Sequence, residues 1–131
     1  MLRIIITIVV VGVVVLSGLN VLAKRSDSIL QVADTVIIPY FNALQSGDVK
    51  KIKGYISKEL YEKRKTLLDS NSTYSDFLRK YYKDAEFSIK TIKQYGDVIK
   101  ATVKIYFKNG TTEEMVIQLK QDQSKKWKIS E

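Results

Sequence analysis

The stretch from Ile4 to Ala23, IIITIVVVGVVVLSGLNVLA, is twenty residues without a charge, with only Thr7, Ser17 and Asn20 polar. As a helix rising about 1.5 Å per residue it would reach roughly 30 Å, the thickness of a bilayer's hydrocarbon layer. It therefore reads as a membrane-inserting segment, which leaves one ordinary domain behind it. The expected organisation is residues 1–25 as signal anchor or signal peptide and 26–131 as an α+β domain. Two fates fit the local residues. Arg3, the apolar run to Leu16 and a cut after Ala23 would make a cleaved signal and a secreted domain. The continuation of the run to a full span, followed at once by Lys24 and Arg25, favours an uncleaved anchor. A lipid-attached start is excluded, because Leu19 stands where the modified cysteine would have to be. The positive-inside rule gives no vote, with Arg3 on one side and Lys24 and Arg25 on the other. A signal-like start places the expected domain outside the cytoplasm, as a single-pass protein of a bacterial cell membrane.

Lys and Arg number 22 against 14 Asp and Glu, a net charge of +8. Only Arg3 precedes residue 24, so the domain carries 21 basic against 14 acidic side chains. Such a balance suits anionic neighbours and also keeps a protein in solution. The chain has no Cys and no His. Disulfides, Cys/His metal sites and nucleophiles activated by a histidine base are therefore excluded, and no cofactor is expected.

After Ser28 the apolar pattern is helical. Ile29, Ala33, Val36, Ile37, Tyr40, Ala43 and Leu44 form one stripe, interrupted by Pro39, where a kink or a restarted helix is expected. Gly47 suits a left-handed helix end and Asp48 a cap for a short second helix bearing Val49, Ile52, Tyr55 and Ile56. Ser57 can cap a third helix reaching about Asp69, residues 69–72 (DSNS) read as a turn, and a fourth helix lines Tyr74, Phe77, Leu78 and Tyr81 along one side.

Beyond Asp84 the period becomes two. Phe87 and Ile89 open a strand, and Ile92, out of phase with them, predicts a bulge near Thr91. Tyr95, Gly96 and Asp97 turn the chain into a strand whose Ile99, Ala101, Val103, Ile105 and Phe107 alternate with polar residues. The Asn109-Gly110 pair would ordinarily signal a two-residue turn. That turn would mix core and solvent faces. A three-residue loop of Lys108, Asn109 and a left-handed Gly110 pairs Val103 with Met115, Ala101 with Ile117 and Ile99 with Leu119, so the bulged hairpin is expected. A last strand at residues 126–129 places Trp127 and Ile129 on one side. The fold class is thus three or four helices packed on a four-stranded antiparallel sheet.

The residues from Tyr40 to Ile56, YFNALQSGDVKKIKGYI, with the short helices, the long antiparallel strands and the closing Trp127-Lys128-Ile129, resemble the superfamily built on the nuclear transport factor two fold, also called ketosteroid-isomerase-like, SnoaL-like or cystatin-like. The resemblance implies a curved sheet wrapped around helices into a cone, as in small membrane-anchored or secreted members. Members that bridge the inner membrane in secretion machines have a longer tail than the three residues before Ile4, which weighs against that assembly role.

Enzymes of that superfamily place an Asp, often with a His or Tyr, in an apolar pocket where a shifted pKa permits proton transfer. The inward strand positions here, from Phe87 to Ile129, hold no group that takes a proton, and an acid would have to come from the helices, where Asp34 and Asp76 are candidates but neither falls on a clearly apolar face. The expectation is a non-enzymatic binding or accessory domain. A structural subunit of an envelope or secretion complex and an isomerase-like or hydrolase-like enzyme using the cone are the alternatives. Tyr40, Tyr55, Tyr61, Tyr74 and Tyr81 lie on or beside buried helix faces and are candidates to line a cavity. Lys100, Lys104, Lys120, Lys126 and Lys128, with Lys90 and Tyr106, fall opposite the core face of the sheet and are candidates for contact with anionic lipid or an envelope polymer. The membrane, an envelope protein or a second copy of the chain are the expected partners. Nucleic acid is disfavoured, because a stacking platform on that face is reduced to Tyr106.

Overall fold

The computed structural model of the chain describes residues 4–5 and 29–131. Residues 29–32 are helical and run without a break through a π turn, Ala33–Ile37, into α1 (Ile38–Ser46). This π turn, just before Pro39, stands where a kink or a restarted helix is expected. Ile38 donates its N–H to the Ala33 carbonyl, five residues back. The wider turn opens space just where Pro39 lacks a donor and its ring crowds the carbonyl four residues earlier. The apolar stripe from Ile29 to Leu44 is buried along its whole length.

Gly47 ends α1 in the left-handed conformation (φ 66°), while the Asp48 N–H reaches the Ala43 carbonyl at 3.0 Å and closes a Schellman-type end. The Asp48 side chain then caps α2 (Val49–Tyr55) by accepting from the Lys51 N–H. Ser57 caps α3 (Lys58–Lys65) by accepting from the Leu60 N–H at 3.1 Å. A second π turn, Thr66–Ser70, prolongs α3, so Asp69 and Ser70 are helical rather than part of the expected turn. The turn starts at Asn71, whose Oδ1 accepts from both the N–H and the hydroxyl of Thr73. α4 (Tyr74–Tyr81) follows, and here the expected face is wrong: Leu78 is buried, whereas Phe77 and Tyr81 are exposed. Tyr82, one position further on, is buried with Leu78, as a spacing of four permits.

The sheet runs in the order β1 (Ile4–Ile5), β2 (Glu86–Tyr95), β3 (Val98–Tyr106), β4 (Thr112–Gln121) and β5 (Trp127–Ile129). β2 to β5 form a four-stranded antiparallel sheet, and β1 lies parallel to β2 beside Phe87 and Ser88. Of the segment expected to form a membrane helix, Ile4–Ile5 is thus strand, and 6–23 lie outside the described residues. Among the described residues no helix is long and apolar enough to cross a membrane.

The strand expectations hold in register. β2 pairs Ile89 with Val103 and Thr91 with Thr102, leaving Lys90 as the extra residue of the bulge and turning both Ile89 and Ile92 inward. β3 and β4 pair Val103 with Met115, Ala101 with Ile117 and Ile99 with Leu119. The Phe107 N–H donates to the Thr111 carbonyl across a three-residue loop in which Gly110 takes φ 90°. Helices and sheet meet over Ile37, Phe41, Ile52, Phe87, Ile99, Ile105, Leu119 and Ile129, each almost wholly buried, and each such side chain contributes about 1.5–3 kcal/mol on burial. Two backbone links tie the helical layer to the last strand: the Ser57 N–H donates to the Ile129 carbonyl at 2.7 Å, and Ile56 bridges Ile129.

Candidate functional site

The face of the sheet turned away from the helices carries lysine in ordered rows. At the Gly96 end, Tyr95 stands opposite Val98, Val98 opposite Lys120, and Lys120 opposite Lys128. In the adjacent row Lys93 stands opposite Lys100, and Lys100 opposite Gln118. Two cross-strand pairs are therefore lysine against lysine, an arrangement that destabilises an antiparallel pair. Lys128 escapes by reaching over the sheet edge to donate to the Gly54 carbonyl. Lys93 and Lys100 instead share a ring, their ammonium groups lying 5.0 and 5.9 Å from the centre of Tyr95. Nearer the other end Lys90 and Lys104 share Tyr106 in the same way, each at 5.4 Å. A cation over an aromatic face gains about 0.5–1 kcal/mol at an exposed site and leaves the charge available to an anion.

Of the lysines singled out in the sequence, Lys100, Lys104, Lys120 and Lys128 stand on this face. Lys126 does not join them; it precedes β5 and its backbone is held by Asp122 in the β4–β5 turn. Lys93 and Tyr95 belong to the patch although sequence reading passed over them. Their phase is set by the Lys90 bulge, which exchanges the two faces of β2 downstream of it. The ion pairs among the described residues involve Lys51, Lys53, Arg79 and Lys108, all away from this face. Toward the far end Glu114 stands opposite Lys104 and Glu86 opposite Tyr106, while at the near end Asp97 lies exposed in the Gly96 turn and Asp122 and Glu131 share a cleft with Lys120.

Of the five tyrosines proposed as a cavity lining, Tyr74 and Tyr81 stand together on α4, Tyr40 lies in the core, and Tyr61 and Tyr55 face elsewhere. Tyr40 is buried against Phe41 and receives a hydrogen bond from Arg64 at 3.4 Å. Tyr61 donates to Asp69, which also pairs with Lys53. Tyr74 and Tyr81 flank Phe77 in a stacked ladder on α4, and Tyr81 donates to Glu113 at 2.7 Å. Tyr55 faces a different cleft, described next. Burial pushes the Tyr40 and Tyr82 hydroxyls upward, so both stay protonated at neutral pH. The two helix acids are solvent-facing: Asp34 is exposed, and Asp76 is exposed and paired with Arg79. Among the described residues no three acidic side chains gather as a metal site would require.

Two clefts flank β5. One, of about 720 Å³, lies between α3 and the β4–β5 turn and mixes charges, with Lys63 and Lys120 beside Glu59, Asp122 and Glu131. The other, of about 450 Å³, lies where the first helix, the end of α2 and β5 converge, and contains Val32, Val36, Tyr55 and Trp127 beneath a rim of lysines.

No protein-family model matches the chain, and no curated protein matches it. Among solved structures it is similar to the 2.00 Å crystal structure of an NTF2-like protein from Campylobacter jejuni whose name gives transpeptidase as a provisional assignment. The two share 19% identity with a TM-score of 0.56, over 72% of this chain and 94% of that one. At that identity the likeness shows the fold, which is NTF2-like, and nothing of activity.

Proposed function

We propose that this domain is a non-catalytic binding module that lays the Gly96 end of its outer sheet face against anionic lipid headgroups. The observation that carries the reading is the cross-strand opposition of Lys93 and Lys100 over Tyr95, with Lys120 one row away. Like charges placed opposite one another cost stability in the free domain. A phosphate between them reverses the sign of that term. Three lysines near an anionic surface, at about 1 kcal/mol each, give roughly a hundredfold preference over a neutral one. Tyr95 is 53% exposed, and an amphipathic ring of this kind suits the headgroup layer. In this reading the rest of the apolar run, residues 6–23, holds the protein at the membrane, outside the cytoplasm, and the sheet face sets how the domain lies on it.

The test compares the full chain with its Lys93→Glu/Lys100→Glu variant, each partitioned between phosphatidylcholine vesicles and vesicles containing phosphatidylglycerol. The apolar segment contributes equally to both proteins, so the difference isolates the sheet face. Wild type should prefer the anionic vesicles, less so as salt rises, and the variant should lose that preference. Equal partitioning of the two proteins would sink the reading.

A further inference from the structure

The cleft beside Trp127 is a second and separate site. Its floor is apolar and aromatic: Val32 and Val36 come from the first helix on either side of the Ala33 turn residue, Tyr55 from the end of α2, and Trp127 from the start of β5. Tyr55 and Trp127 are only half-buried, so their rings present surface to the cleft rather than filling the core. The rim is Lys125, Lys126 and Lys128, and among the described residues no carboxylate lines the cleft, in contrast to the mixed charges of its larger neighbour. Lys128 is engaged with the Gly54 carbonyl, which leaves Lys125 and Lys126 facing solvent. Lys125 is held at φ 61° in a tight turn where Asp122 accepts the N–H groups of both Ser124 and Lys126, so the two exposed ammonium groups, in no ion pair among the described residues, are carried on an ordered turn. Gln31 and Thr35 add polar atoms on the helix side. A volume of about 450 Å³ suits a ligand of one or two rings.

We infer that this cleft binds an acidic sugar, with the apolar face of the pyranose ring against Trp127 and Tyr55 and its carboxylate toward Lys125 and Lys126. An aromatic floor and a purely cationic rim fit a ligand with one flat C–H face and one negative group, and leave a neutral sugar without its charge-assisted contact. The site shares neither Lys93 nor Lys100 with the sheet face, so either assignment can fail without the other.

Trp127 is the chain's single tryptophan, so intrinsic emission reports on the cleft directly. The full chain is titrated with glucuronic acid, and with glucose at matched ionic strength. Glucuronic acid should change the emission saturably and glucose should bind at least about tenfold more weakly, the worth of one charge-assisted contact. Lys125→Gln/Lys126→Gln, which removes two exposed charges and no core contact, should weaken glucuronic acid binding by about tenfold or more while the thermal midpoint stays in place. No saturable change, equal binding of glucose, or undiminished binding by the double variant would each overturn the assignment.

Discussion

Lys93 and Lys100 stand directly opposite one another across β2 and β3, and both ammonium groups lie over the same ring, that of Tyr95. Two like charges in cross-strand register oppose the pairing that brings them together, and the shared ring offsets only part of the repulsion. The relationship ties stability to binding with opposite signs.

Reversing one of the two charges should therefore stabilise the free domain. Lys93→Glu replaces repulsion with an opposite-charge pair, and the gain should be about 0.2–1 kcal/mol, read as a higher urea midpoint at low salt. The same variant should lose preference for anionic vesicles. A midpoint that falls would show that Lys93 and Lys100 do not repel in the folded state.

Gly47 is expected to be the least replaceable glycine. Its φ of 66° is costly for any other residue, and a Cβ there would stand 2.5 Å from the Ser75 carbonyl oxygen, backbone that cannot swing aside. Gly110 shares the positive φ but has open space around it. Gly110→Ala should cost about 1–2 kcal/mol from conformation alone, and Gly47→Ala distinctly more, in paired denaturation curves. Equal losses would mean that the α1–α4 contact yields freely.

Ser57 joins a helix cap to the sheet. Ser57→Ala removes the acceptor for the Leu60 N–H and should cost about 1 kcal/mol, while the backbone bond to Ile129 is untouched. Ser57→Asp should recover most of the loss. Failure of the rescue would place the cost in packing rather than in the cap.

The pH profile should fall at both extremes. The hydrogen bonds from Lys53 and Tyr61 hold the Asp69 carboxyl below its ordinary value. Its contribution is present above about pH 4, the unfolded carboxylate's value, and is lost as pH drops through the lower folded value. At the alkaline end burial holds the Tyr40 and Tyr82 hydroxyls above their ordinary value. Their contribution is complete below about pH 10 and is lost as pH rises through the folded values. Tyr82→Phe should flatten the alkaline fall, and Asp69→Asn the acid one, in thermal midpoints measured across pH.

The β3–β4 register, the bulge beside Thr91, and the caps at Asp48 and Ser57 were legible in the chain. Each is a local matter: a period of two admits one register that keeps Ile99, Ala101 and Val103 on a single face, and an Asp or Ser before a helix has one nearby donor to satisfy. The α+β class followed from the same periods. On α4, Tyr74, Phe77, Leu78 and Tyr81 make an equally good stripe whether or not Tyr82 is the residue turned inward, and only contact with Phe87 and Phe107 decides it. The lysine face was legible as an alternation, but its rows were not, because Lys93 and Tyr95 join it through the parity change at Lys90. The Trp127 cleft draws on residues 31–36, 54–55 and 125–128, three segments with no common period. Secondary structure and register are thus set by neighbours along the chain, whereas the candidate sites are assembled by packing between distant segments, and packing is a property that only the folded protein possesses.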